Sequence, residues 1–233
     1  MPPDERVDVL RLQWYVDSRR EPADVPQRWL ALCREHLPQA LPRRFGATEP
    51  LRGRLDRDGD AAFVRAFAEA ETLLHTAGEP PCLGGSLGTP RRRARLGPMT
   101  SHQLDVRFDA ATTDPGVRSL FEAAAEAFGT VFASASVRRD LLWAGRTLVV
   151  DRPDPGEQPY LAPLGQWLGL PPRPPLWAWF GPGYRRLVPR DREREWVPRD
   201  LVARLDEPEP ARRRARRLPR GLGGPLWWAI RRR

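Results

Sequence analysis

The chain has 233 residues, 40% of them hydrophobic, and carries 39 basic against 30 acidic side chains. Every basic residue is arginine, so Schiff-base lysine chemistry, a phosphate-loop lysine and a kinase-type strand lysine are all excluded. Residues 211–233 hold nine arginines and no acid, which accounts for the whole net charge of +9 and leaves residues 1–210 neutral.

That length and charge distribution suit one domain over residues 1–205, large enough to bury a core without covalent staples. A basic tail over 206–233 is expected to be disordered. Proline, at 27 residues, is more than twice its usual share of about 5%, which predicts many loops and short elements. Two cysteines are too few for a disulfide framework or a zinc knuckle. The start has no basic-then-apolar leader, and no apolar run reaches transmembrane length. The expectation is a soluble, cytoplasmic protein with no transmembrane segment.

Val7–Val16 alternates: Leu10, Leu12, Trp14 and Val16 share one side, with Arg11, Gln13 and Tyr15 on the other, which predicts a strand with one buried face. Asp24 then opens a helix with apolar positions Val25, Trp29, Leu32, Cys33 and Leu37, in which Cys33 reads as a small core residue and His36 sits near the C-terminal end. From Pro38 to Gly59 the chain reads as irregular. Within it Arg43, Arg44 and Glu49 form a candidate polar cluster, either structural or a ligand clamp. Asp56–Asp60 hints at a calcium loop but places Ala61 and Phe67 where glycine and glutamate are required, so it reads as a solvated turn with Asp60 capping the next helix. That helix is predicted from about Ala61 to His75, with Phe63, Phe67, Ala70 and Leu74 as its buried stripe.

Gly84-Gly85-Ser86-Leu87-Gly88 matches the G-x-S-x-G nucleophile elbow. The prolines before it, the arginines after it and the lack of an acid between Ser86 and His102 argue for a tight glycine loop instead, with an anion nest beside Arg91–Arg95 as the minor reading. Ser101–Phe108 alternates as a strand, with Leu104, Val106, Phe108 and His102 facing in. Asp114-Pro115 starts a helix with inner residues Val117, Leu120, Phe121, Ala124, Ala125 and Phe128, stopped by Gly129. Val131–Val137 and Arg146–Val150 read as two more strands, joined by a turn at Trp143–Gly145.

The order of elements, with alternating strands and no glycine-rich dinucleotide fingerprint, predicts an α+β fold: a largely antiparallel sheet with helices on one face. Residues 160–188 are too rich in proline for a long helix or a central strand and too aromatic to float free. They are expected to form an irregular arm, and Trp167, Trp177, Trp179, Phe180 and Tyr184 are candidate protein-binding residues wherever they are not core. In the tail, Arg212, Arg213, Arg214, Arg216 and Arg217 with Trp227 and Trp228 are candidates for nucleic-acid or anionic-surface contact, since arginine neutralises phosphates and tryptophan stacks on bases. No catalytic constellation assembles, so no catalytic, metal or cofactor residue is assigned. A hydrolase built from scattered carboxylates stays open as an alternative.

Four segments carry a resemblance: WYVDSR (Trp14–Arg19), LPRRFGATEP (Leu41–Pro50), PPCLGGSLG (Pro80–Gly88) and LGLPPRPPLWAWFGPGY (Leu168–Tyr184). Together they resemble a group of uncharacterised actinobacterial proteins. More distantly, the pattern is similar to α+β immunity proteins of bacterial polymorphic-toxin systems, with an initial strand and helix, an R-[FY]-G-x-x-E-P-like connector and a late aromatic segment. The resemblance spans roughly residues 7–188, excludes the basic tail and transfers no residue roles. It implies a protein that binds and neutralises a partner toxin in the cytoplasm, or that descends from one; the missing catalytic constellation and the aromatic arm point to a non-catalytic protein-binding domain. Nucleic-acid association through the tail is the alternative.

Overall fold

The computed structural model describes residues 5–89, 99–111, 113–144, 147–149 and 175–181. At its centre is the first alternating stretch. Strand β1, Glu5–Asp17, pairs antiparallel with β6, Met99–Arg107, on one side and with β7, Phe132–Ala144, on the other. Leu10, Leu12, Trp14 and Val16 are completely buried, as the alternation requires. Trp14 lies opposite His102 and Ala133, and Leu12 opposite Leu104 and Ala135. The small alanines of β7 make room for the indole.

Helices α1, Val25–His36, and α4, Pro115–Ala127, pack together over that face. Trp29 and Phe121 descend from them to Trp14, each with ring centroids 5.9 Å from the indole, and the indole N–H donates to the Phe121 carbonyl at 3.0 Å. Fully burying each such side chain contributes about 1.5–3 kcal/mol. The start of α4 follows the sequence chemistry: the Asp114 carboxylate accepts from the Gly116 N–H at 2.8 Å, and Pro115 fills the first turn. Gly129 ends it at φ 63°. Asp24 makes no such cap; its carboxylate takes Arg28 instead.

Several boundaries depart from the sequence reading. Helix α2 spans Leu55–Glu69, starting before the expected turn and broken at Gly59 (φ 76°, ψ 173°). Asp60 does not cap it, because its carboxylate is held by Arg34 at 2.7 and 2.9 Å. Leu74 and His75 belong to strand β4, Leu73–Ala77, not to the helix. Phe63, Phe67, Ala70 and Leu74 are all buried nonetheless, since a helix end followed by a strand presents the same stripe to the core. The G-x-S-x-G run is no loop: Cys82–Gly88 is strand β5, paired with β4 and β6. At Gly85 a Cβ would meet the Gln103 carbonyl oxygen, a close backbone approach that explains glycine inside a strand.

The connector holds two short strands, β2 (Arg44–Gly46) and β3 (Gly53–Arg54), after a 3-10 turn at Pro38–Ala40. A four-residue helix α3, Phe108–Ala111, follows β6. Strand β7 continues through Trp143 and Ala144, which are not part of a turn, and pairs with β8, Thr147–Val149. Of the expected aromatic arm, residues 160–174 and 182–188 lie outside the described residues; within the rest Trp177–Phe180 forms a short strand, β9, along β7. The sheet order is β3-β2-β4-β5-β6-β1-β7-β8 with β9 also on β7, and every pairing is antiparallel. The fold is α+β. None of the described helices is long and apolar enough to cross a membrane.

The face away from the helices is not simply solvated. Tyr15 is buried there, stacked on Phe132 at 6.3 Å, and Val7, Val9, Leu83 and Leu141 form a second apolar cluster. Between them Arg11 and Asp105, paired across β1 and β6, make two hydrogen bonds of 2.7 and 2.9 Å, and Gln103 donates to the same carboxylate at 3.0 Å.

Candidate functional site

The strands β2 and β3 and the ends of α1, β5 and β6 surround an open cavity of about 850 Å³. Five arginines line it: Arg34 from α1, Arg43 and Arg44 at β2, Arg54 at β3 and Arg107 at the end of β6. Three carboxylates, Asp56, Asp60 and Glu79, share the wall, along with apolar groups such as Leu41, Pro80, Leu83 and Trp143.

Local folding puts the arginines here. Phe45, at the middle of β2, packs edge-on against Phe63 of α2 at 5.2 Å, and this turns its neighbour Arg44 to the opposite side of the strand. Arg44 then lies directly across from Arg54 in the β2–β3 ladder. Residues of α1, β6 and β2, far apart in sequence, meet only because the sheet brings its edge under the helix ends.

Most of these cations are held by carboxylates. Arg34 is forked onto Asp60; Arg54 takes Asp56 at 2.8 and 3.2 Å; Arg107 takes Glu5 at 2.9 and 3.1 Å; Arg43 pairs with Glu79. The hydrogen bonds from these guanidinium groups lower the carboxyl pKa values of Asp60, Asp56 and Glu5 below the ordinary range. Exposed pairs of this kind add little to the stability of the fold, because water and salt screen them. What they do is fix orientation: a fork uses two of the five guanidinium donors and leaves the others aimed outward. Arg44, half-buried, has no carboxylate partner among the described residues.

The expected polar cluster is thus divided. Arg43 and Arg44 line the cavity, whereas Glu49 lies exposed in the β2–β3 connection and is not part of the wall. Sequence reasoning missed Arg34, Arg54 and Arg107, and only pairing topology links them. Of the aromatic candidates, Trp177 is a core residue, 4% exposed and against Phe121, and Trp179 is partly buried on the same core. The Trp177 ring thus lies inside the domain. Phe180 ends β9, opposite Phe132. Trp167, Tyr184 and the tail candidates Arg212, Arg213, Arg214, Arg216, Arg217, Trp227 and Trp228 lie outside the described residues, as do Arg91–Arg95.

The residues flagged for chemistry do not converge. Ser86 pairs with Gln103 and Leu87 with His102, so Ser86 and His102 project from opposite faces of the sheet. His102 is completely buried, against Phe128 at 5.0 Å. Its Nδ1 accepts from the Gly88 N–H at 3.3 Å, which assigns the ring proton to Nε2, 2.9 Å from Glu21 Oε1 and off the line of a straight hydrogen bond. His75 sits across from Ser86 on β4, and His36 shares a hydrogen bond with Ser119 at 2.9 Å. Cys33 and Cys82 are buried; burial pushes the Cys82 thiol up to about 12 and the Cys33 thiol up as well, so both stay protonated. Among the described residues no three His, Cys, Asp or Glu side chains gather as a metal site.

No family model and no curated protein matches the chain. Among solved structures it is similar to the Pseudomonas aeruginosa T6SS protein PA0821, at 15% identity and a TM-score of 0.42, over 58% of this chain and 42% of that one. The chain thus spans less than half the length of that neighbour, and a likeness of this extent assigns neither family nor function.

Proposed function

We propose that the chain is a non-catalytic protein-binding domain that engages its partner at the arginine-lined cavity. The observation that supports this is the construction of the cavity itself: an open depression with apolar walls, rimmed by guanidinium groups that neighbouring carboxylates hold in place. Arginine held in a fixed orientation beside apolar surface is the composition of interface hot spots, because little entropy remains to be lost on binding. In its specific form the proposal is an immunity-type protein that neutralises a toxin-like partner. That form rests on the resemblance of the four sequence segments. One of them contributes Arg43 and Arg44 to the cavity, and another contributes Pro80, Cys82 and Leu83.

The test is affinity capture from nuclease-treated native lysate with the full chain and with an Arg43→Ala/Arg44→Ala variant. The proposal predicts one discrete protein held by the wild type and lost by the variant. Material that nuclease removes and that the variant still holds would contradict it and favour nucleic-acid association through the tail. Hydrolytic activity abolished by Ser86→Ala would contradict it in the other direction.

A further inference from the structure

We infer that Arg44 is the anchor of an anion-recognition point, and that its ligand is the carboxylate side chain of an acidic, partly apolar peptide segment; this deepens the protein-binding reading and rests on it. The first observation is the ladder. Arg44 and Arg54 are direct cross-strand partners on the same face, an arrangement in which like charges destabilise a sheet pair. Arg54 is neutralised by Asp56, while Arg44 carries no carboxylate among the described residues and Arg43 beside it leans on Glu79. An incoming anion relieves that repulsion and finds donors on Arg44 together with those Arg54 and Arg43 have left over.

The second observation selects the kind of anion. Five arginines against three carboxylates leave the wall only slightly cationic, and the negative charges are built into it. A polyphosphate or a nucleic-acid backbone would run its successive charges past Asp56, Asp60 and Glu79. A single carboxylate would not, and Leu41, Leu83 and Trp143 would cover the apolar neighbours of a peptide glutamate or aspartate. The cavity thus favours isolated negative charge set among apolar groups.

The experiment uses the full chain and a short peptide of alternating glutamate and leucine that carries a photo-crosslinking benzoylphenylalanine and a fluorophore. Adducts are mapped by mass spectrometry. Expected are adducts on segments 38–44 and 77–83, with affinity reduced about tenfold to a hundredfold in Arg44→Gln, the range for losing a charged hydrogen-bond donor. Arg65→Gln, an exposed arginine of α2 outside the cavity, should leave binding unchanged, and Arg44→Lys should restore part of it. Urea melts of each variant establish that the fold is kept. Equal loss in Arg44→Gln and Arg65→Gln, or adducts confined to residues 211–233, would overturn the inference. So would displacement of the peptide from the cavity by oligothymidylate at lower concentration than by the acidic peptide itself, which would assign the site to nucleic acid. A captured protein partner that Arg44→Gln still binds at full affinity would refute the anchor and leave the protein-binding reading standing. Peptide adducts in the cavity with no captured partner would do the reverse.

Discussion

The pair Arg11–Asp105 gives the sharpest test of how the sheet is held. Its side chains are only 15% and 8% exposed, and both guanidinium bonds are short, at 2.7 and 2.9 Å. Removing one partner leaves the other charged and largely out of water. Exposed pairs are worth about 0–1 kcal/mol, whereas stranding one half of a buried pair costs about 3–5 kcal/mol. With this burial, Asp105→Leu should destabilise by about 3 kcal/mol, which for a domain of this size lowers the melting midpoint by about 6–12 °C. Adding Arg11→Met should recover most of that loss, because the double variant no longer buries one member of the pair without the other, and a double-mutant cycle should give a coupling of about 2 kcal/mol. Urea unfolding of the two single variants and the double variant measures each term. A coupling below about 0.5 kcal/mol would refute the reasoning and reduce the pair to a surface contact.

Glycine positions separate steric from conformational effects. Gly53→Ala drives a Cβ to 2.4 Å from the Phe45 ring and should cost about 1–3 kcal/mol through overpacking, whereas Gly59→Ala meets open space and should cost about 1–3 kcal/mol through backbone strain alone, because φ 76° with ψ 173° is essentially a glycine conformation; urea melts measure both. Asp58, held to about 2 by hydrogen bonds from the Arg57 side chain and the Arg54 backbone N–H, should titrate there by carbon-detected NMR. Since its folded pKa lies below the unfolded value of about 3.9, its contribution to stability is present above that pH and disappears as pH falls toward 2. Neither Cys33 nor Cys82 should react with a thiol reagent at pH 8 until the chain is unfolded in urea; modification of the native protein would contradict their burial.

Much of the fold was legible because its strongest signals were local. The alternation from Leu10 to Val16 marked β1, and Asp114-Pro115 marked the start of α4 down to its capping bond. The failures have equally local causes. Phe63, Phe67, Ala70 and Leu74 satisfy a helical spacing, yet Ala70 has already turned extended (ψ 133°) and Leu74 reaches the core from a strand. Gly84, Gly85 and Gly88 read as a loop because glycine is depleted in strands, whereas at Gly85 and Gly88 the tight approach of β6 to β5 leaves no room for a side chain. The cavity was half legible. Arg43 and Arg44 stood out as a charged pair in a connector, but Arg34, Arg54 and Arg107 join them only through the order of the sheet, which no periodicity encodes.

The most direct test of the central claim is hydrogen-exchange mass spectrometry on the full chain with and without the captured protein partner. If the cavity is the recognition surface, added protection falls on segments 38–44 and 77–83 and around Arg54 and Trp143, and Arg44→Gln weakens it. Protection restricted to residues 211–233, with none on the cavity segments, would contradict the account.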